Sequence, residues 1–310
     1  MTRWPRYAEI RKAFAEELDA YSREVRELPG VGDDASRDTL ALQLVASVRR
    51  ERYFELLQER GAIPAFRANP HDDRFEAELG VVHLLQRGQI DEAAWLVFLM
   101  TVFGKPAGSG WKRLRDVYGR LGTARADWNS MQAQPDLLEA WLARHWQEVG
   151  GDQGGHRRYE SMRPDSRRPI GRAITQYANW IGCAGGHEAK FAQLVREAGN
   201  SREAIFDEFF RALPCVGFAR LGRFDWVSML DRYGIVHATP GSAYLRGSTG
   251  PLRGASLLFT GSTKAPARLT ASFEKWLLEL DGRVEVGMKV WEDALCNWQK
   301  HPARFVHYKG

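Results

Sequence analysis

Apolar residues recur at spacings of three and four in one segment after another of this 310-residue chain, and that periodicity confines the fold to helices packed on helices. Ile10, Phe14, Leu18, Tyr21, Val25 and Leu28 make one stripe, which the turn residues Pro29-Gly30-Val31-Gly32-Asp33-Asp34 then stop. A second stripe starts near Asp38 and runs through Leu40, Leu44, Val48 and Leu56. The same spacing predicts helices over 75–86, 91–103, 111–121, 136–149, 169–181, 187–198, 201–213, 218–233, 266–280 and 285–300. Alternating Val/Ile/Thr runs joined by hairpin turns are essentially absent, which argues against a Rossmann or barrel enzyme and for an all-α protein. The glycine-rich stretch Gly150-Gly151-Asp152-Gln153-Gly154-Gly155 reads either as a linker or as a loop within one domain. As a linker it divides the chain into an N-terminal helical region, 1–150, and a C-terminal one, 151–310. No repeat of solenoid length is present.

Composition excludes several classes. With 44% hydrophobic and 27% charged residues the chain has the usage of a soluble globular protein. Its longest apolar stretch, 93–103, falls short of the roughly 20 residues that a membrane span needs. The first residues lack the apolar core of a signal peptide, so a cytoplasmic monomer is expected. Cys183, Cys215 and Cys296 are far apart, which allows neither a zinc knuckle nor a four-cysteine cluster and fits a reducing compartment. His187-Glu188 opens like a zinc-protease helix, but Phe191 stands where the second histidine belongs. Gly104-Lys105-Pro106 and the glycines at 247, 250 and 254 both miss the phosphate-loop pattern. Neither a metal nor a cofactor is expected.

The charge does point somewhere. Lys plus Arg number 44 against 39 acids, a net of +5, and the excess is clustered. Lys105, Lys112, Arg113, Arg115, Arg120 and Arg125 face only Asp116; Arg157, Arg158, Arg163, Arg167, Arg168 and Arg172 crowd one short stretch; 246–268 contains no acid. Such runs are either solvated faces or sites for phosphate oxygens. The neighbouring Trp111, Tyr159 and Tyr244 favour nucleic acid, because aromatic rings stack on unpaired bases. Leu213-Pro214-Cys215-Val216-Gly217, between two helical segments, resembles the hairpin of helix-hairpin-helix DNA-binding proteins, with Cys215 in place of its first glycine. Leu28-Pro29-Gly30-Val31-Gly32 is a second near-match; ordinary helix-loop-helix turns also produce such strings.

Several stretches together carry a family resemblance: 91–99 (DEAAWLVFL), 103–105 (FGK), 110–122 (GWKRLRDVYGRLG), 156–161 (HRRYES), 185–187 (GGH), 218–226 (FARLGRFDW) and 244–255 (YLRGSTGPLRGA). The set resembles the α-glutamyl/putrescinyl thymine pyrophosphorylase family, third clade, regarded as relatives of helix-hairpin-helix DNA glycosylases. The resemblance implies a helix-hairpin-helix glycosylase-like fold and an enzyme acting on a modified pyrimidine in DNA. Similar proteins are linked to bacterial defence, in which glucosylated hydroxymethylcytosine is removed from phage DNA. It implies either hydrolysis of the base–sugar bond, leaving an abasic site, or displacement of pyrophosphate from an activated hydroxymethyl base by an amino acid or polyamine. A non-catalytic DNA-binding module is the third reading.

For hydrolysis the reacting nucleotide must be extruded, and a carboxylate must stabilise the developing sugar cation or deprotonate water. Asp225, matching the acid of the family's Arg-Phe-Asp motif, is the first candidate, with Asp231 and Glu160 behind it. The wider superfamily places its aspartate about 20 residues past the hairpin, here Val236 and His237, which is a departure. Phe218 and Ala219 leave no lysine beside the hairpin for Schiff-base chemistry. Tyr159, His156, His187 and Trp111 are the candidate base-binding residues. DNA contacts are expected from Lys105, Arg157, Arg158, Arg220, Arg223, Arg246 and Arg253 and from the hairpin residues Pro214, Val216 and Gly217.

Overall fold

A computed structural model describes residues 4–152, 161–264 and 266–308, and among these there are fourteen α-helices, five short 3-10 turns and no strand. The protein is all-α. None of the described helices is long and apolar enough to cross a membrane. The chain gathers into two compact units, one of Met1–Tyr53 with Pro240–Tyr308 and one containing Phe54–Thr239. The glycine-rich stretch that begins at Gly150 falls inside the second unit.

In chain order, the first unit begins with α1 (Ala8–Glu24) and α2 (Asp34–Gln58), whose end passes into the second unit. That unit holds α3 (Ala77–Gln86), α4 (Ile90–Phe103), α5 (Lys112–Tyr118), α6 (Trp128–Ala133), α7 (Leu137–His145), α8 (Ile170–Gly182), α9 (His187–Ala198), α10 (Arg202–Ala212) and α11 (Arg220–Arg232). The chain then returns to the first unit with α12 (Gly250–Thr260), α13 (Thr270–Val284) and α14 (Met288–Trp298).

The apolar stripe of α1 is buried through Phe14, Leu18 and Tyr21, which join Leu40 and Leu44 of α2, Phe273 and Leu277 of α13, and Trp291 and Trp298 of α14 in one core. Glycines set its tightest approaches. A methyl group on Gly254 would lie 2.4 Å from the Leu295 carbonyl oxygen, and one on Gly250 would lie 2.5 Å from Cys296 Sγ. The glycine-rich run at 247–254 is thus the seam along which α12 meets α14. Gly30 does the same in the first near-match hairpin, where a β-carbon would lie 2.2 Å from the Leu257 carbonyl oxygen of α12.

The second unit is built around α4. Its residues from Ala93 to Phe103 are all buried, as expected of a helix apolar on every face. It packs against α3, α5, α6, α9 and α11. Phe98 stacks on Tyr177 of α8 with ring centroids 3.6 Å apart, and Trp95 Nε1 donates to the Ala126 carbonyl at 2.9 Å. Gly104, at φ 64°, takes the left-handed conformation that ends the helix.

Candidate active site

The candidate residues that the fold brings together lie around α5. Beyond Gly104 the chain presents Lys105, whose Nζ sits 3.0 Å from Glu76 Oε1 and 2.8 Å from Glu78 Oε2. Trp111 donates its indole N–H to the same Glu76 oxygen at 2.8 Å, and its ring centroid is 5.5 Å from Lys105 Nζ. Burial alone would lower the Lys105 pKa, but the Glu78 and Glu76 carboxylates outweigh it and hold the amine above its ordinary value as an ammonium. Lys105, Glu76 and Trp111 border a cleft of about 310 Å³, which Phe75, Ser109, Gly110, Lys112, Arg115 and Asp116 complete.

A second cleft of about 360 Å³, lined by Pro70, His71, Leu121 and Glu148, shares Lys112, Arg115 and Asp116 with the first. Asp116 accepts from Lys112 Nζ and from the Gly150 amide, both at 2.9 Å. Ser109 Oγ accepts the Asp152 amide at 2.8 Å, and Arg113 donates to the Gly150 and Gly151 carbonyls. The stretch 150–152 is therefore pinned against α5 at the edge of the first cleft. Of the expected site residues, His156, Arg157, Arg158, Tyr159 and Glu160 follow it directly and lie outside the described residues.

The hairpin between α10 and α11 is tied to its own unit. Val216 donates its amide to Gln176 Oε1 at 2.7 Å, and Gly217 takes φ 83°. Arg223 sends its guanidinium back to the carbonyls of Phe218 at 3.0 Å and of Phe210 and Arg211 at 2.9 Å, satisfying the open end of α10. Arg220 lies over the Phe224 ring at 4.6 Å. Asp231 is almost buried; it accepts from Arg202 and from the Ala238 amide, each at 3.1 Å, and so anchors the turn after α11 to the start of α10. Asp225 sits half-buried on α11 between the buried Phe224 and Trp226, and it is not among the residues lining either α5 cleft.

His187 begins α9 fully buried, 4.3 Å from the Trp128 ring and 5.6 Å from the rings of Tyr177 and Phe191. Neither ring nitrogen makes a hydrogen bond, although Asp91 Oδ1 approaches Nδ1 to 3.3 Å. Burial lowers the His187 pKa against the opposing pull of Asp91, so the ring is neutral. Asp91 in turn accepts the amides of His187 and Glu188 at the first turn of α9. Gly186 at φ 140° is required there, since a β-carbon would lie 2.9 Å from Asp91 Oδ2. Among the described residues no three His, Cys, Asp or Glu side chains are grouped to hold a metal.

Lys105 and Trp111 are thus brought into one cleft, while Asp225, His187 and the hairpin lie elsewhere in the same unit, and Arg246 and Arg253 are exposed in the other. Sequence reasoning missed Glu76, Glu78 and Ser109. Glu76 and Glu78 precede the motif stretches and carry no spacing signal; Ser109 lies one residue before the Gly110-Trp111 stretch and was readable from it.

A family model described as alpha-glutamyl/putrescinyl thymine pyrophosphorylase clade 3 matches residues 35–310. No curated protein and no solved structure matches the chain.

Proposed function

Starting from the fact that the chain belongs to the alpha-glutamyl/putrescinyl thymine pyrophosphorylase clade 3 family, whose members serve thymine hypermodification or related DNA processing, we propose that it is a monofunctional DNA glycosylase. Its substrate is a bulky modified pyrimidine such as glucosylated hydroxymethylcytosine in phage DNA. Water attacks the sugar carbon, the base–sugar bond breaks, and the free base leaves an abasic site behind. Removing such bases disables the phage genome, which makes the enzyme an antiviral device of the cytoplasm acting as a monomer.

The observation that carries this reading is the α5 cleft. Its volume of about 310 Å³ is at the lower end of small-molecule sites, roughly 300–1,000 Å³. Trp111 lines one wall and is the aromatic side chain proposed to stack on an extruded base. Glu76 supplies a carboxylate that can accept from polar substituents of the base, and Lys112 supplies a cation on the rim for a flanking phosphate. Lys105, held as an ammonium by Glu76 and Glu78, has no lone pair for Schiff-base attack, which favours simple hydrolysis over lyase chemistry. Asp225 is proposed as the carboxylate that orients and deprotonates water on the strength of its Arg-Phe-Asp motif alone, since it does not line the cleft; Glu76 is the alternative that does.

The test is incubation with oligonucleotides carrying cytosine, hydroxymethylcytosine, glucosylated hydroxymethylcytosine or hydroxymethyluracil, followed by alkali to cut abasic sites. Strand breaks confined to a modified base, and reduced about 100-fold or more in Asp225→Asn, are expected. If Glu76→Gln loses activity and Asp225→Asn keeps it, the role passes to Glu76. Intact strands with every base overturn the glycosylase. The second cleft, beside Asp116 and Glu148, favours one competing reading: an amine held there would displace pyrophosphate from an activated base, and pyrophosphate release would reveal it.

A further inference from the structure

We infer that Arg246, Arg253, Lys264 and Arg268 form, in the first unit, a docking surface for the phosphate backbone of duplex DNA, an inference that rests on the reading of the chain as a DNA enzyme. Many of this protein's cations are already committed to its own fold. Arg223 holds the end of α10, Arg113 the carbonyls of Gly150 and Gly151, Arg115 the Pro70 carbonyl and Asp73, and Lys105 its two glutamates. These four are different. All are exposed, and none makes a side-chain hydrogen bond, ion pair or ring contact among the described residues.

Their surroundings explain why. No aspartate or glutamate occurs in the sequence between Asp231 and Glu274. The carboxylate of Glu274 is itself occupied, accepting the amides of Ala243 and Leu245. The part of the segment that carries Arg246 and Arg253 is nevertheless firmly built. Gly250 and Gly254 draw α12 against α14, and the loop before it turns on left-handed residues at Tyr244 and Gly247. Arg246 precedes α12, Arg253 lies in its first turns, and Lys264 and Arg268 follow its other end. Eleven helical residues span about 16 Å, which reaches several successive phosphates of a strand. Exposed cations without local acids are what counterion release from DNA requires, and they carry no base preference.

The test is binding of a fluorescent, unmodified duplex by anisotropy over a range of salt concentrations, so that no step depends on base excision. Each phosphate contact contributes about 0.9 to the slope of log affinity against log salt. The variant Arg246→Gln/Arg253→Gln/Lys264→Gln/Arg268→Gln is expected to flatten that slope by about 3.6 and to bind about tenfold or more weakly at physiological salt. Each single variant should flatten it by about 1, which keeps the test open if the fourfold variant folds poorly. Arg246→Lys/Arg253→Lys should keep the slope. Lys12→Gln/Arg23→Gln, which removes cations already paired with Glu16 and Asp19 in the same unit, should leave it unchanged. A wild-type protein that does not bind the duplex, or a fourfold variant with unaltered slope and affinity, would overturn the inference. Loss of the glycosylase reading alone would leave the binding result standing.

Discussion

Two buried polar arrangements govern behaviour at the scale of single residues. His187 is folded as a neutral ring, so on acidification the unfolded chain takes up a proton that the folded chain refuses. Stability therefore declines as pH falls below 6.5, the ordinary histidine value. The Asp91 carboxyl is held below 3.8 by His187, whose ring lies beside it and whose amide it accepts, against the effect of burial; its contribution persists to lower pH and is lost only as pH falls below that value. His187→Phe keeps the aromatic packing and removes two unpartnered nitrogens. Its melting temperature at pH 7 should equal or exceed that of the parent, and it should fall less between pH 7 and pH 5; a parallel decline in both proteins would contradict the assignment. The second arrangement is Glu92, which accepts from the Tyr118 hydroxyl, from Arg125 at 2.8 Å and from the Trp128 amide at 2.6 Å. Glu92→Ala leaves a largely enclosed guanidinium unpaired and should cost about 2–4 kcal/mol in denaturant unfolding.

At the scale of elements, the glycines decide which helices can meet. Gly254→Ala places a methyl group on the Leu295 backbone, where nothing flexible can yield. The expected loss is about 1–3 kcal/mol, read as a lower melting temperature, and Gly30→Ala should behave alike because it meets the Leu257 backbone. Arg223→Ala opens the end of α10 and should cost about 1.5–3 kcal/mol, more than Arg220→Ala on the same helix.

The helical class was legible because a stripe such as Phe14-Leu18-Tyr21 survives directly into the core. Helix α12 was not, since glycines at 250 and 254 read as a loop until their contact with α14 is known. Helix α6 has only six residues, too few for a stripe to form. The start of α14 was misread for a similar reason. Asp281 accepts the Val286 and Gly287 amides and the Trp291 indole, so the break at Glu285–Gly287 depends on a residue of the preceding helix. In the site, Lys105 and Trp111 were readable from their motif. Their partners Glu76 and Glu78 were not, because only folding carries α3 to the end of α4.

For the whole molecule, the family assignment and the α5 cleft make chemistry on a DNA base the central claim, and the two chemistries in contention leave different products. Hydrolysis gives a free base and an abasic strand; amine displacement gives an intact strand whose activated base has exchanged its pyrophosphate for the amine, with pyrophosphate released. Mass spectrometry of both strand and small-molecule fractions, after incubation in ¹⁸O-water with an oligonucleotide bearing glucosylated hydroxymethylcytosine or with one bearing diphosphorylated hydroxymethyluracil plus putrescine, separates them directly. Hydrolysis of the glucosylated strand predicts the free modified base together with an abasic strand that has gained one ¹⁸O at the sugar. An unchanged strand with no base in solution, for this and each related modification, would contradict it.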